Sequence, residues 1–194
     1  MNKFSVNQYM KDLTTYLNSY EWTKIEVLAE KIWKIWLNNR RLFLCGNGGS
    51  SANAEHLAND LLFGVSPGKK AIRVNCLSSN SSVITCLAND TGYQNIFSLQ
   101  LLTHGEKGDG LVVLSGSGNS DNVVEALKVA RDTGMWTCGI VGYTGGKIKT
   151  IADTVIHFPV NDMQMAEDFQ LIVGHCLMRI LKQKAERKDQ SCSA

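Results

Sequence analysis

Leu42-Phe43-Leu44-Cys45-Gly46-Asn47-Gly48-Gly49-Ser50-Ser51 is the stretch from which the fold can be read. A short apolar run reads as a buried strand, the glycines that follow end it, and helical spacing resumes at Ala52. Glycines at such a turn let the backbone approach a ligand closely. The helix that follows offers unpaired N–H groups and a partial positive charge to an anion. Asn47 and Ser50 add side-chain donors at the same mouth. No Gly-Lys-Ser/Thr follows and the glycine spacing is not G-x-G-x-x-G, so neither a Walker loop nor a dinucleotide fingerprint is present.

Outward from this point the construction recurs. The run 111–114 enters Ser115-Gly116-Ser117-Gly118-Asn119-Ser120, again just ahead of a helical pattern. Hydroxyls and backbone N–H groups at a strand-to-helix turn suit a phosphate. Strands are predicted at 42–45, 71–74, 111–114, 137–141 and 154–157, and helices at 50–62, 80–87, 94–102, 119–133 and 163–184. Alternation of this kind predicts an α/β fold, a doubly wound five-stranded parallel sheet flanked by helices, because parallel strands need crossovers that cover both faces. Both loops then lie outside the carboxyl ends of strands, where open parallel sheets bind ligands. Ahead of the sheet, apolar residues between Tyr9 and Asn38 recur at helical spacing, splitting near Asn18-Ser19 into two amphipathic helices of an N-terminal extension over 1–40. Trp33 and Trp36 share one face, a core or subunit-contact stripe. The whole, 1–194, reads as one domain, with a polar tail from Ala185 that is expected to fray.

Composition narrows the function classes. Twenty Lys+Arg against eighteen Asp+Glu leave a formal charge of +2 with no basic cluster beyond short pairs such as Lys69-Lys70, so no nucleic-acid partner is expected. The first residues lack a secretory core, and no run reaches the about eighteen apolar residues of a membrane span, so a cytoplasmic protein with no membrane partner is expected. Six cysteines without C-x-x-C spacing read as buried thiols rather than disulfides.

Two groups can carry acid-base or metal chemistry. His56 and Asp60 are i, i+4 on the helix after the first glycine loop and face the same point. The last helix offers Glu167, Asp168 and His175. Seven residues separate Asp168 from His175, two turns on nearly one line, so helical geometry makes Asp168 the better partner of His175.

Together these segments resemble the phosphoheptose isomerases of the SIS family over nearly the whole chain. GNGGSSANAEHLAND (46–60) is similar to that family's glycine-serine loop with its helix-borne His. LANDTGYQNIF (87–97) is similar to its Asn-Asp-x-Gly-Tyr segment, SGSGNSDNVVEALKVARDTGM (115–135) to its phosphate loop and following helix, and GYTGGKIKTIAD (142–153) to a further segment. The resemblance implies a sugar-phosphate site at Asn47, Gly48, Gly49, Ser50, Asn89, Asp90, Ser115, Gly116, Ser117, Ser120 and Glu167. It also implies one zinc ion on His56, Asp60, Glu167 and His175, and a homotetramer with active sites between subunits. The reaction it implies is aldose-ketose isomerisation of sedoheptulose 7-phosphate, with Asp60 as base and His175 as acid. Three positions depart from the family pattern: Asp60 stands for Glu, Glu167 for Gln, and Gly116 for the middle Thr of the phosphate loop. They leave open a different phosphosugar, or a non-catalytic binding module like the SIS-family protein that associates with the replication initiator DnaA.

Overall fold

The computed structural model describes residues 4–192, with side chains to 190. Five strands, β1 (Arg41–Cys45), β2 (Arg73–Cys76), β3 (Gly110–Ser115), β4 (Trp136–Val141) and β5 (Thr154–His157), form one parallel sheet in the order β2-β1-β3-β4-β5. Alternate residues of each strand point to opposite faces. Thus Leu42, Leu44, Val112 and Leu114 enter one core with helices α2 (Thr23–Leu37), α3 (Gly49–Asn59) and α8 (Met163–Cys192). Phe43, Cys45, Leu111 and Val113 enter a second core with α5 (Ser98–His104), α6 (Asp121–Asp132) and α7 (Ile148–Ile151). Burial on both faces is why the central strands are apolar without alternation. From β1 the chain turns one way to β2 and later returns on the other side as β3, so a crevice opens beyond the carboxyl ends of β1 and β3.

The N-terminal extension forms α1 (Val6–Ser19), capped by Ser5, and α2, a good match to the predicted split. α1 lays Tyr9, Leu13, Tyr16 and Leu17 against the first core but buries no residue fully. Trp33 and Trp36 pack edge to face at 5.0 Å.

Several boundaries differ from expectation, each for a local reason. β2 begins two residues late, because the Pro67-Gly68 turn and Lys69-Lys70 delay pairing until Arg73 meets Arg41. The helix expected over 50–62 stops as an α-helix at Asn59 and continues as a π-helical turn, Asp60–Gly64. The helix expected over 80–87 runs on as α4 (Ser81–Thr91), capped by the Asn80 side chain and ended by Gly92 at φ 94°. Gln94 lies in a 3-10 turn before α5, and α7 was not foreseen. The last helix does not fray at 185. It continues to Cys192, because Leu181 and Ala185 are buried and ion pairs Lys184–Glu30 and Lys69–Asp189 fasten it. Ser193 and Ala194 lie outside the described residues.

Among the described residues the cysteines are free thiols but not uniformly buried. Cys45 and Cys138 are, and burial pushes both thiols well up; Cys76 and Cys176 are half-buried, Cys86 is exposed, and the Cys192 side chain lies outside the described residues.

Candidate active site

The two glycine-serine loops meet beyond β1 and β3 and enclose a cavity of about 130 Å3. Ser50, Ser115, Ser117, Ser120, Asn47 and Glu167 supply its polar lining, with Leu114 and Met163 among its apolar walls. Three helices begin at this cavity, since Ser50 is the second residue of α3, Ser120 the N-cap of α6, and Met163 the first residue of α8.

Each serine is held differently. Ser115 is buried, and its Oγ accepts from Gly118 N at 3.1 Å. Ser117 Oγ accepts from Asn119 N at 3.2 Å. In both cases the backbone fixes the oxygen and leaves the hydroxyl proton to donate. Ser120 sits at the N-cap, yet its hydroxyl makes no capping bond, so a purely structural role does not account for it. Ser50 is buried and accepts from Gln170 Nε2 at 3.0 Å, while Gln170 Oε1 accepts from Asn53 Nδ2 at 3.0 Å. Asn53 lies within the quoted 46–60 segment but was not singled out there, and Gln170 lies in no recognisable motif. Only a polar residue within the apolar stripe of α8 hints at Gln170.

Asn47 exchanges two hydrogen bonds with Asn122, both 2.8 Å, and its Oδ1 also accepts from Tyr93 Oη at 3.0 Å. Tyr93 and Asn122 were both missed as separate site residues by sequence reasoning. Asn89 and Asp90, on the last turn of α4, are exposed and do not line the cavity; Asn89 Nδ2 donates to Asp90 Oδ1 at 2.7 Å and Cys86 Sγ to Asp90 Oδ2 at 3.5 Å. The segment 142–148 braces the serine loop from behind. Gly142 N donates to Gly116 O, Ile148 N to Gly118 O, and Lys147 N to Asn119 Oδ1. At Gly116 the space a side chain would take is filled by the thioether of Met163, whose Sδ lies 2.3 Å from where a Cβ would stand.

A second cluster lies further along α3 and α8. His56 Nε2 and His175 Nε2 are 2.9 Å apart, and Asp60 Oδ2 is 3.6 Å from His56 Nε2. One ligand atom of each of the three residues falls within 4.8 Å of the others, an arrangement able to hold a metal ion. Two expectations need correction here. Asp168 is not the partner of His175: it accepts from Tyr9 Oη at 2.5 Å, and partial burial together with that carboxylate raises the Tyr9 phenol. Glu167 is outside the three-residue cluster, which brings together only His56, Asp60 and His175. Its carboxylate lies over Gly49 instead, within 2.5 Å of where a Cβ would be.

The His56–His175 approach depends on Gly174. A Cβ at Gly174 would stand 1.9 Å from Leu57 Cδ1, and Leu57 is fully buried with nowhere to turn. Gly174→Ala is expected to part α3 from α8, costing about 2 kcal/mol in stability. It should also loosen binding in a metal titration; unchanged metal affinity would show that helix spacing does not set the cluster.

The chain matches the SIS domain family model over residues 7–142. It is 31% identical over 159 residues to the phosphoheptose isomerase of Aneurinibacillus thermoaerophilus, covering 82% of this chain and 80% of that protein. With the phosphoheptose isomerase of Aliarcobacter butzleri it shares 37% identity over 144 residues, 74% of this chain and 76% of that one. The solved phosphoheptose isomerase of Neisseria gonorrhoeae superposes with a TM-score of 0.85 at 27% identity, over 92% of this chain and 97% of that one. With its paired serine loops and its His-Asp-His cluster further along the same two helices, this chain belongs to the phosphoheptose isomerase family of SIS-domain proteins.

Proposed function

We propose that the protein is an aldose-ketose isomerase that converts sedoheptulose 7-phosphate to D-glycero-D-manno-heptose 7-phosphate. The observation that carries this reading is the spacing of the two clusters along shared helices. Six residues of α3 separate Ser50 from His56, about 9 Å, and eight residues of α8 separate Glu167 from His175, about 12 Å. An extended sugar advances about 1.25 Å per carbon, given single bonds of ~1.5 Å, so a seven-carbon chain with its phosphate in the serine cavity brings C1 and C2 to about that range.

In this reading Ser50, Ser115, Ser117 and Ser120 anchor the phosphate and Asn47 holds the open-chain sugar, with Asn89 and Asp90 nearby. Asp60 removes the proton from C1 of the ketose and the C1–C2 enediol forms as His175 protonates O2; Asp60 then returns the proton to C2 as O1 gives up its proton to His175, which restores both groups. Asp60 Oδ2 faces His56, which leaves Oδ1 for the carbon-bound proton. Zinc is the metal that best suits His56, Asp60 and His175. Two imidazole nitrogens on one tetrahedral zinc stand about 3.3 Å apart for Zn–N bonds of about 2.0–2.1 Å, close to the observed 2.9 Å. When bound it would polarise the sugar oxygens.

A homotetramer is part of the same proposal. Val6, Met10, Val27, Leu62 and Phe63 are exposed large apolar side chains, and α1 buries no residue fully within the protomer. Among the described residues no helix is long and apolar enough to cross a membrane, and a cytoplasmic setting, where sugar phosphates are made, fits the substrate. A different phosphosugar is favoured by one feature only, the loss of a side chain at Gly116 to Met163.

A coupled assay over ketose phosphates of five to seven carbons tests the reading. Sedoheptulose 7-phosphate should turn over fastest, and Ser117→Ala should raise its KM by about tenfold or more through loss of one charge-assisted bond, with the fold intact. No turnover of any phosphosugar with zinc supplied, or unchanged phosphosugar affinity in the Ser115, Ser117 and Ser120 triple Ala variant, would sink it.

A further inference from the structure

Three side chains from separate parts of the chain close on one another beside the serine cavity. Asn47, in the turn after β1, lines the cavity; Asn122, the second residue of α6, is buried; and Tyr93, which opens the 3-10 turn after Gly92, is exposed. Asn122 Oδ1 accepts from Val123 N at 2.9 Å, an N–H shared with Ser120 O, and this backbone donor decides which end of the Asn122 amide is oxygen. The same oxygen accepts from Asn47 Nδ2, and Asn122 Nδ2 donates in return to Asn47 Oδ1, both at 2.8 Å. Tyr93 Oη donates to that Asn47 oxygen as well, at 3.0 Å. Turning one amide over would set N–H against N–H and oxygen against oxygen, and turning both would set Asn122 Nδ2 against the Val123 N–H. Asn122 is too deeply buried for water to take up the loss. The Asn47 oxygen is thereby filled by two donors. Among the described residues, the hydrogen-bonding capacity left on its side chain is the second N–H of Nδ2.

We infer that Asn122 and Tyr93 are positioning residues that lock the Asn47 amide with its nitrogen toward the ligand, so that Asn47 is a donor only and matches an acceptor oxygen at the phosphate end of a sugar phosphate. An asparagine free to turn offers a ligand either end. Beside a cavity lined by serine hydroxyls, the carbonyl end would repel a phosphate oxygen, whereas the N–H end attracts it and forms a charge-assisted bond. The inference rests on the phosphosugar reading above and adds to it two residues that act through Asn47.

A double-mutant cycle tests it, by calorimetric titration of sedoheptulose 7-phosphate into wild type, Asn122→Ala, Tyr93→Phe, Asn47→Ala and the two double variants, with thermal midpoints confirming the fold. Asn122→Ala should weaken binding about tenfold and Tyr93→Phe about threefold, but each should cost less than about twofold once Asn47 is already Ala, because both act through its amide. Tyr93 is exposed, so its variant decides the matter if Asn122→Ala does not fold. Losses of the same factor with and without the Asn47 side chain would overturn the inference, and so would unchanged affinity in both single variants. Isotopic labelling of asparagine reads the lock without a ligand: the Asn47 side-chain amide should exchange with solvent at least about tenfold more slowly than that of exposed Asn39, and Asn122→Ala should abolish the protection. If wild type binds no phosphosugar yet Asn47 keeps this protection, the isomerase reading fails and the lock stands. Rapid exchange at Asn47 in wild type overturns the lock whatever the sugar result.

Discussion

Asp60→Asn should reduce isomerisation of sedoheptulose 7-phosphate by at least ~100-fold, the usual scale for losing a general base, while phosphosugar binding persists. Asn keeps the shape and hydrogen-bonding capacity of Asp but cannot take a proton. Asp60 is the residue at stake because it opens the π-helical turn at the end of α3, is mostly buried, and points Oδ2 toward His56 across one helical turn. Exchange of the C1 or C2 hydrogen with solvent deuterium, followed by mass, reads the same step without the coupling enzymes and should fall in parallel. Because Asp60 is also a candidate metal ligand, the zinc content of the variant must be measured beside its rate. A variant that keeps zinc and loses exchange identifies the base. One that keeps full turnover removes Asp60 from that role. Asp60→Glu restores the side chain of the family pattern, and it should keep or raise activity if the longer arm still reaches C1.

Gly118→Ala should be the most damaging single methyl in the molecule. Gly118 has φ +69°, and a Cβ there would lie 2.1 Å from the carbonyl oxygen of Gly145, which is backbone and cannot swing aside. The left-handed conformation alone costs a non-glycine residue about 1–2 kcal/mol, and relieving the clash means pulling the serine loop from the segment that braces it. A total loss of about 3 kcal/mol or more is expected, a fall of roughly 6–12 °C in midpoint for a chain of this size. Phosphosugar binding should fall with it, since Gly118 N is the donor that fixes Ser115 Oγ. Gly68→Ala is the control. Its φ is +72° but nothing lies within 4 Å of the added Cβ, so only the conformational cost applies. Equal destabilisation of the two variants would show that the Gly145 contact does not fix the loop.

How much of this was legible in the sequence follows from which forces are local. The strands of the sheet and the two serine loops were legible because an apolar run followed by Gly, Ser and Asn states strand, turn and helix start within ten residues. Boundaries set by distant partners were not. α8 continues past Lys184 because Leu181 and Ala185 meet a core built from residues far earlier in the chain, and polarity alone reads the segment as frayed. The pairing of His175 shows the same limit. Helical spacing chose Asp168, which is on the right line of α8, but Tyr9 of α1 has taken that carboxylate and α3 brings His56 to His175 instead. Glu167 went to the serine-lined cavity for a comparable reason, a glycine at position 49 that leaves room for its carboxylate. Asn122 and Tyr93 were hidden as separate site residues because a side-chain amide or phenol in a helix or turn has no signature until its partner, Asn47, is placed.

The docking of α8 has a consequence for how the protein comes to exist. Ser50 and Gln170 are 120 positions apart, His56 and His175 119, and Tyr9 and Asp168 159. Closing loops of that length is slow, so the helices of the first half can form early while both halves of the site wait for the last segment to arrive. On the ribosome the chain would carry its serine loops exposed and its imidazole unpaired until the final helix emerges. Neither the anion site nor the metal cluster can be completed co-translationally ahead of that moment. A nascent chain stalled before residue 163 would therefore have much of its sheet but not the pairing of His56 with His175, so any metal held by His56, Asp60 and His175 would be taken up by the finished polypeptide.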